Sequence, residues 1–316
     1  DLMNVMMPVT ISRGLLLTLL AACAPARTPP LSAPPAELGR IVPGRVTDHV
    51  IIISLDGMRP DAITRFRPRT LRRLIAEGSH SPEAQTTLPS RTLPSHMSMM
   101  SGKKPEAHGV INNEDPDETR WMTDVPTVMA VAHDRGLQTI ALFSKTKFRQ
   151  IYEPDALDYA DQPGGWLGLR MAGKTAGRFE HYLQRARPQL SFIHFAEPDY
   201  MGHTTGWMSW PYGWTLRYAD GAVARVLAAA DRAFGSGNYT VIITADHGGH
   251  RFSHGSDDPR DMTIPWIAWG KGVRPGITLP PGIRTMDTAA TALWLLGIPV
   301  PERWVGSPVE AAFLPH

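Results

Sequence analysis

The sequence predicts an α/β fold built on a doubly wound, mostly parallel central sheet flanked by helices. Two observations lead to this prediction. Several continuous apolar, β-branched runs are typical of strands that are buried on both faces, as in a parallel sheet. Helical patterns lie between these runs, so strands and helices alternate along the chain.

Four runs have this strand character. The first, Val50–Leu55, contains three isoleucines in succession and is followed by an acidic residue. Each run is bounded by polar or turn-forming residues, which fixes its approximate ends. The other three are Thr139–Phe143, Leu190–Phe195 and Tyr239–Thr244.

The predicted helices lie between these strands and after the last one. Several end at a glycine, the residue that most readily adopts the left-handed conformation that follows a helix. One carries a proline near its start, where a missing backbone N–H does no harm. The helices are Thr70–Glu77 before Gly78, Val125–Arg135 before Gly136, Thr175–Arg187, Thr215–Phe234 and Thr288–Leu296 before Gly297.

The amino-acid composition excludes several classes of protein and several kinds of site. The 316 residues are 42% hydrophobic and 20% charged, which excludes a disordered or collagen-like chain. The formal net charge of +2 gives no electrostatic reason to expect a nucleic-acid polymer as partner. The single cysteine, Cys23, excludes an intrachain disulfide, a Cys-rich zinc finger and a four-cysteine iron–sulfur site.

The first 45 residues are expected to precede the folded domain. Residues 14–22 form an apolar run after Arg13 that is too short for a bilayer span and has the proportions of a signal peptide. The run ends in Leu-Ala-Ala-Cys23, which resembles the lipobox of bacterial lipoproteins. We therefore expect a signal peptide over 1–22, a lipid on Cys23, and a proline-rich tether over 23–45.

That processing implies a bacterial periplasmic lipoprotein, held by its lipid at the outer membrane, with one catalytic domain over 46–316. The alternative is a buried helix that contains an ordinary core cysteine.

Polar side chains follow three of the four strands. Asp56 comes directly after the first strand, and Asp246 and His247 follow the last. Asp199 and His203 follow Leu190–Phe195. Ligands of such sheets bind beyond the carboxyl ends of the strands, so these residues are expected to meet at one edge. Carboxylates mixed with imidazoles suit divalent metals, and zinc is the leading candidate. His250 and His254 lie shortly after the last group.

A segment dense in hydroxyl groups, residues 86–102, supplies candidate nucleophiles. A hydroxyl at a helix N-terminus is close to unpaired N–H groups that also hold phosphate, and a bound metal lowers its pKa. An ordinary Ser/Thr-rich loop is the alternative. On chemistry alone the candidates are Thr87, Ser90, Thr92 and Ser95.

Five segments carry a family resemblance. They are LDGMRPD (Leu55–Asp61), RTLPSHMSMMSGKKPEAHGVINN (Arg91–Asn113), EPDYMGH (Glu197–His203), TADHGGH (Thr244–His250) and SHG (Ser253–Gly255). Their order resembles that of the alkaline phosphatase superfamily, in particular the type I phosphodiesterase/nucleotide pyrophosphatase family. The resemblance runs from about residue 48 to 308 and implies an alkaline-phosphatase-like fold.

The resemblance also implies roles for individual residues. Thr92, in Thr-Leu-Pro-Ser-His, corresponds to the nucleophile that forms a phosphothreonine intermediate, and Asn113 to a residue that binds a phosphate oxygen. The implied cofactors are two zinc or other divalent ions. The implied ligands are Asp56, Thr92, Asp246 and His247 for one ion, and Asp199, His203 and His254 for the other.

Three positions are expected to border the substrate pocket: Leu93, His194 and Trp207. Leu93 and His194 stand where nucleotide-cleaving relatives often carry aromatic residues, which weakens the case for a nucleotide substrate. Trp207, with Trp210 and Trp214, is expected either in a pocket wall or in the core.

Three alternatives stay open. His250 competes with His254 as a ligand. A phosphomonoesterase or phosphonate hydrolase has the same two-metal core, and a monoesterase adds a cation for the extra charge; Arg91, Lys145, Lys147 and Arg251 are the candidates. A more distant alternative is a catalytically inactive lipoprotein that binds metal.

Overall fold

The computed structural model describes residues 44–114, 122–163 and 169–315, and all of these belong to one compact unit. The predicted signal peptide (1–22), Cys23 and most of the predicted tether lie outside the described residues. None of the helices in the described ranges has the length and hydropathy that a membrane span requires.

Eight strands within these ranges form a single sheet. The four predicted strands are present, with ends within one residue of those predicted. In chain order the strands are β1 (Val50–Leu55), β2 (Ser79–Gln85), β3 (Thr139–Leu142), β4 (Tyr159–Asp161), β5 (Leu190–Phe195), β6 (Thr240–Thr244), β7 (Thr263–Gly270) and β8 (Ile277–Thr278).

The strand order is β4-β3-β5-β1-β6-β7-β2-β8. Strands β4, β3, β5, β1 and β6 are parallel, and β7 is antiparallel to both of its neighbours. The predicted doubly wound, mostly parallel sheet is thus confirmed.

The four predicted strands do not include β4 at one edge of the parallel block, nor the strands outside that block, β2, β7 and β8. Strand β2 reads SHSPEAQ, with Pro82 and a bulge between Ser81 and Ala84, so it lacks an apolar period. Such interruptions are tolerated near a sheet edge, where not every backbone group needs a partner strand.

The predicted helices are present with shifted ends. The helix predicted from Thr215 begins five residues earlier, because the Ser209 side chain accepts a hydrogen bond from Tyr212 N and Pro211 fits the first turn. The helices are α1 (Pro60–Phe66), α2 (Arg69–Glu77), α3 (Thr92–Ser101), α4 (Pro105–His108), α5 (Val128–His133), α6 (Ala172–Leu183), α7 (Glu197–Thr205), α8 (Trp210–Phe234), α9 (Pro259–Met262) and α10 (Asp287–Leu295).

Two groups of helices cover the sheet. Helices α1, α2, α6, α7 and α8 pack together, and α3, α5 and α10 form a second group. Strands β1, β5 and β6 are buried along their whole length between these layers. The continuous apolar runs in the sequence reflect this burial on both faces.

Strand register places the ends of the central strands at the same height. Leu55 of β1 pairs with Phe195 of β5, and Ser54 pairs with Thr244 of β6. The residues that follow these three strands therefore emerge side by side at one edge of the sheet.

Candidate metal centre and active site

One group of buried ligand atoms surrounds the end of β1. We call Asp56, Asp246 and His247 the Asp56 cluster. Their ligand atoms lie within 4.8 Å of one another, and all three side chains are fully buried. His247 Nε2 lies 3.4 Å from Asp56 Oδ1 and 3.2 Å from Asp246 Oδ2. None of these three atoms has a hydrogen-bond partner among the described residues.

A second group lies beside it, at the start of α7. We call Asp199, His203 and His254 the Asp199 cluster. Asp199 Oδ1 is buried without a hydrogen-bond partner, 3.4 Å from His203 Nε2 and 3.5 Å from His254 Nε2. The two Nε2 atoms lie 3.1 Å apart. His247 borders this cluster too, since its ligand atom lies within 4.8 Å of those of Asp199 and His254.

The three histidines of these clusters are held in the same way. In each ring, Nδ1 lies within hydrogen-bond distance of a backbone carbonyl oxygen. Because a carbonyl oxygen only accepts hydrogen bonds, Nδ1 carries the proton. Nε2 therefore carries a lone pair directed at the carboxylates, the orientation found in metal-binding histidines. The carbonyl partners are Phe252 for His203 (2.9 Å), Gly248 for His247 (2.8 Å) and Ser90 for His254 (2.8 Å).

Both clusters fit divalent metal ions. Burying a carboxylate oxygen without a hydrogen-bond partner is costly. A histidine nitrogen that carries a lone pair has no proton to donate to that oxygen, so it does not offset the cost. A divalent ion would satisfy all of these atoms at once, and mixed oxygen and imidazole ligands suit zinc. The Asp56 cluster would hold one ion and the Asp199 cluster the other.

Lys145 joins the two clusters, a contact that sequence reasoning missed. Its Nζ donates to Asp56 Oδ2 and to Asp199 Oδ2, each at 2.6 Å. Burial opposes the charge of this ammonium, but the carboxylates of Asp199 and Asp56 outweigh it and raise the pKa of Lys145. One lysine therefore shares its charge between a ligand of each cluster.

The pKa values of Asp56 and Asp246 are shifted in opposite directions. Burial alone would raise the pKa of Asp56, but Lys145 and a hydrogen bond from His194 hold it well below its usual range. Burial and the neighbouring Asp56 raise the pKa of Asp246 well above its usual range. Asp246 is therefore the carboxylate that a bound cation would stabilise most.

The histidine rings of the clusters also differ in charge state. Burial lowers the pKa of His247 and, with His247 as neighbour, lowers that of His254 to about 3. Both rings are then neutral at pH 7, the form that binds metal. The neighbouring Asp199 carboxylate, 3.4 Å away, raises the pKa of the more exposed His203.

A cavity of about 530 Å³ opens beside the Asp199 cluster. Thr92, the first residue of α3, lines it and is itself buried. Of the four hydroxyl residues eligible as nucleophile, Thr92 alone is among the described residues that line this cavity. The Ser90 hydroxyl donates to Ser256 O, and Ser95 Oγ accepts from Thr86 Oγ1.

Two neighbours fix the start of α3. Asn113 Oδ1 accepts a hydrogen bond from Leu93 N at 3.0 Å, and Asn113 lines the cavity. His96 Nδ1 donates to Thr92 O at 2.7 Å, while its Nε2 accepts from Ser54 Oγ on β1 at 2.8 Å. These bonds tie the first turn of α3 to the central strand.

The structure gives the three predicted pocket residues other positions. Leu93 and His194 are fully buried, and neither they nor Trp207 line the cavity. His194 Nε2 donates to Asp56 Oδ2 at 2.9 Å, so it contacts the Asp56 cluster. Trp207 Nε1 donates to Gly57 O at 3.0 Å, and its ring packs behind His203.

The geometry separates His250 from His254. His250 lies in the loop after β6, with its Nδ1 2.7 Å from Asp261 Oδ1 on α9. It belongs to neither cluster. His254, four residues later, joins the Asp199 cluster. Of the four predicted cations, Lys145 and Lys147 line the cavity, whereas Arg91 and Arg251 do not.

Tyr200 is a lining residue that sequence reasoning did not select. It is 52% exposed and lies on α7 next to Asp199. Its position just beyond the carboxyl end of a predicted strand, where ligands of such sheets bind, was the available signal. Tyr200 offers the cavity an aromatic surface that the buried Leu93 does not.

Comparison with known proteins shows which family and which relatives the chain resembles. The family described as Type I phosphodiesterase / nucleotide pyrophosphatase matches residues 50–262. A bis(5'-adenosyl)-triphosphatase of Xenopus laevis is 26% identical over 64% of this chain and 47% of its own length. The catalytic subunit of human GPI ethanolamine phosphate transferase 2 is 23% identical over 84% of this chain and 28% of its own length. The chain thus spans less than half the length of these relatives.

Solved structures share the fold. Murine ectonucleotide pyrophosphatase/phosphodiesterase 5, as an inactive variant in complex with AMP, superposes with a TM-score of 0.72 at 15% identity, covering 84% of this chain and 100% of that chain. A 2-O glycosaminoglycan sulfatase, BT1596, superposes with a TM-score of 0.69 at 15% identity, covering 84% and 74%.

Replacing Lys145 tests the charge balance of the two clusters. We expect Lys145→Met to lower the free energy of unfolding by about 3 kcal/mol, because it leaves two buried carboxylates without their ammonium. The measurement is urea unfolding at pH 7 in the presence of EDTA.

Lys147→Met is the matched control. Lys147 lies 3.7 Å from the exposed Glu114, so its loss should change stability by less than about 1 kcal/mol. Equal losses in the two variants would contradict the bridging role of Lys145.

Proposed function

Since this chain belongs to the type I phosphodiesterase/nucleotide pyrophosphatase family and is a hydrolase of that kind, we propose that it cleaves phosphodiester or pyrophosphate bonds with Thr92 as the nucleophile. The observation that carries this proposal is the position of Thr92: a buried hydroxyl residue at a helix start, lining the cavity that the Asp199 cluster borders.

We propose two zinc ions, or other divalent ions, as cofactors. The unpartnered ligand atoms of the Asp56 and Asp199 clusters support this choice. Thr92 would complete the ligands of the ion held by the Asp56 cluster. When bound, such ions lower the pKa of a hydroxyl and offset the negative charge that develops on phosphate oxygens.

The residues of the chain then perform a displacement in two halves. Thr92 Oγ forms a bond to phosphorus while the bond from phosphorus to the leaving oxygen breaks, and the proton that Thr92 loses is balanced by the one that the leaving oxygen takes up. The result is a phosphothreonine that still carries the second ester group of a diester substrate. Water then attacks phosphorus, the bond to Thr92 Oγ breaks, and the proton that the water loses returns to Oγ, which releases the phosphate monoester.

Neighbouring residues hold the reacting groups in position. Asn113 accepts a bond from Leu93 N with its oxygen, which leaves its NH₂ group available for a phosphate oxygen. His96 holds the backbone of Thr92, and α3 directs its N-terminus toward the cavity. His194 keeps Asp56 oriented as a ligand.

A phosphomonoesterase or phosphonate hydrolase is the second candidate. Lys145, Lys147 and Arg149 line the cavity, opposed there by Glu114 and Asp199. Additional positive charge suits a substrate with more negative charge than a simple diester. The substrate in either case is a small phosphoric or phosphonic ester and not a nucleic-acid polymer, in keeping with the net charge of +2.

We propose that the protein is a bacterial periplasmic lipoprotein, anchored at the outer membrane by a lipid on Cys23. The apolar run over residues 14–22 and the Leu-Ala-Ala-Cys23 sequence support this proposal.

Removing the Thr92 hydroxyl tests the nucleophile. We expect Thr92→Ala to lower kcat for bis-p-nitrophenyl phosphate with zinc present by at least about a thousandfold, because no other group forms the covalent bond. Thr87→Ala, outside the cavity, is the control and should keep the parent rate. In the parent, rapid acid quenching and mass spectrometry should find a p-nitrophenyl phosphoryl group on the peptide that contains Thr92.

Two results would overturn this assignment. If Thr92→Ala retained the rate of the parent, another nucleophile would be at work. If the parent itself were inactive with zinc present, the inactive metal-binding lipoprotein would be the better interpretation.

A substrate profile separates the two candidate functions. We expect kcat/KM to be higher for bis-p-nitrophenyl phosphate and for a nucleotide p-nitrophenyl ester than for p-nitrophenyl phosphate or a simple phosphonate. The reverse order would favour the second candidate. In that case Lys147→Met should lower kcat/KM for the monoester more than for the diester.

A further inference from the structure

We propose that the exposed side of α8 and the adjoining arginine-rich segment Arg65–Arg73 form a surface that binds anionic lipid bilayers. We call it the aromatic–arginine face. It is distinct from the metal clusters, and the proposal does not depend on the reaction proposed above.

The aromatic part of this face is a stripe on α8. Trp210, Trp214 and Tyr218 are spaced four residues apart, so they share one side of the helix. Trp210 and Trp214 are each 64% exposed, and Tyr218 is 46% exposed. Large rings exposed in succession are uncommon on a soluble surface, and Trp and Tyr favour the headgroup level of a bilayer.

The rest of the exposed side of α8 is basic or small. Arg217, Arg225 and Arg232 are exposed, whereas Asp231, near the end of the helix, is half-buried and accepts a hydrogen bond from Tyr239. Asp220 is buried, where it accepts hydrogen bonds from the backbone of α2. Glu180 on α6 pairs with Arg225 and Arg232 and so offsets part of this charge.

The arginine-rich segment adjoins the aromatic stripe through Phe66. The Phe66 and Trp210 rings lie 6.1 Å apart, and Arg217 Nε donates to Phe66 O at 2.8 Å. The segment exposes five arginines within nine residues: Arg65, Arg67, Arg69, Arg72 and Arg73.

Acidic residues near this segment are already paired. Asp61 pairs with Arg59, and Glu77 pairs with Arg73. The face therefore keeps excess positive charge, although the whole chain is close to neutral at +2.

This combination fits a lipid surface best. Arginines near an anionic leaflet each strengthen binding, and their effect falls within a Debye length. A helix whose exposed side carries Trp, Tyr and Arg, with its acidic residues elsewhere, is typical of helices that lie on membranes. The rings would insert at headgroup depth while the guanidinium groups pair with lipid phosphates.

The test is vesicle co-sedimentation with the full chain carrying Cys23→Ser, so that an attached lipid cannot hold it. We expect binding to vesicles of phosphatidylcholine mixed with phosphatidylglycerol, little binding to phosphatidylcholine alone, and weaker binding as salt rises. Arg65→Gln with Arg69→Gln should weaken binding by about tenfold or more. Trp210→Ala with Trp214→Ala should weaken it comparably.

Matched controls lie elsewhere on the surface. Arg135→Gln and Leu314→Ala remove an exposed arginine and an exposed apolar side chain outside this face, and should bind like the Cys23→Ser parent. All variants should hydrolyse soluble substrate at the parent rate, which separates this proposal from the proposed function.

A spectroscopic measurement covers the case of a variant that folds poorly. Brominated lipid should quench tryptophan fluorescence of the parent more than that of Trp214→Phe. The proposal is overturned if the parent does not bind anionic vesicles, or if binding and quenching are the same in the face variants and the controls.

Discussion

Three buried carboxylates at one edge of the sheet constrain the rest of this structure. Asp56, Asp199 and Asp246 are each at most 5% exposed, and each keeps an oxygen without a hydrogen-bond partner among the described residues. Such a concentration of negative charge is stable only beside cations. Lys145 supplies one, the histidines direct lone pairs instead of protons toward the same space, and divalent ions would supply the remainder.

Much of this centre follows from the sequence because strand ends are predictable. Parallel strands in register deliver Asp56, Asp199 and Asp246 to one edge, and apolar runs reveal where those strands stop. Lys145 was not recognised as a bridge, because a long flexible side chain reaches its partners through tertiary packing that no local pattern records. His194 and Leu93 were expected at the pocket since spacing fixes a position along a strand or helix but not the layer that covers it.

The site has a buried part, the Asp56 cluster, and a more exposed part at the cavity. The Asp56 cluster lies within the core, held by β1, β6 and the hydrogen bond from His194. The cavity side is more open: His203 and Tyr200 are exposed on α7, and three cationic residues also line the cavity. Chemistry would thus depend on buried residues with fixed partners, whereas substrate choice would depend on the exposed side chains of the cavity.

Metal content separates a two-metal centre from a set of carboxylates neutralised by protons and Lys145. The purified protein is dialysed with zinc, freed of unbound metal, and measured by inductively coupled plasma mass spectrometry. The account predicts two zinc ions per chain, and about one after Asp246→Asn, since that carboxylate belongs to the Asp56 cluster alone. No retained zinc in the parent, or two ions retained by Asp246→Asn, would contradict it.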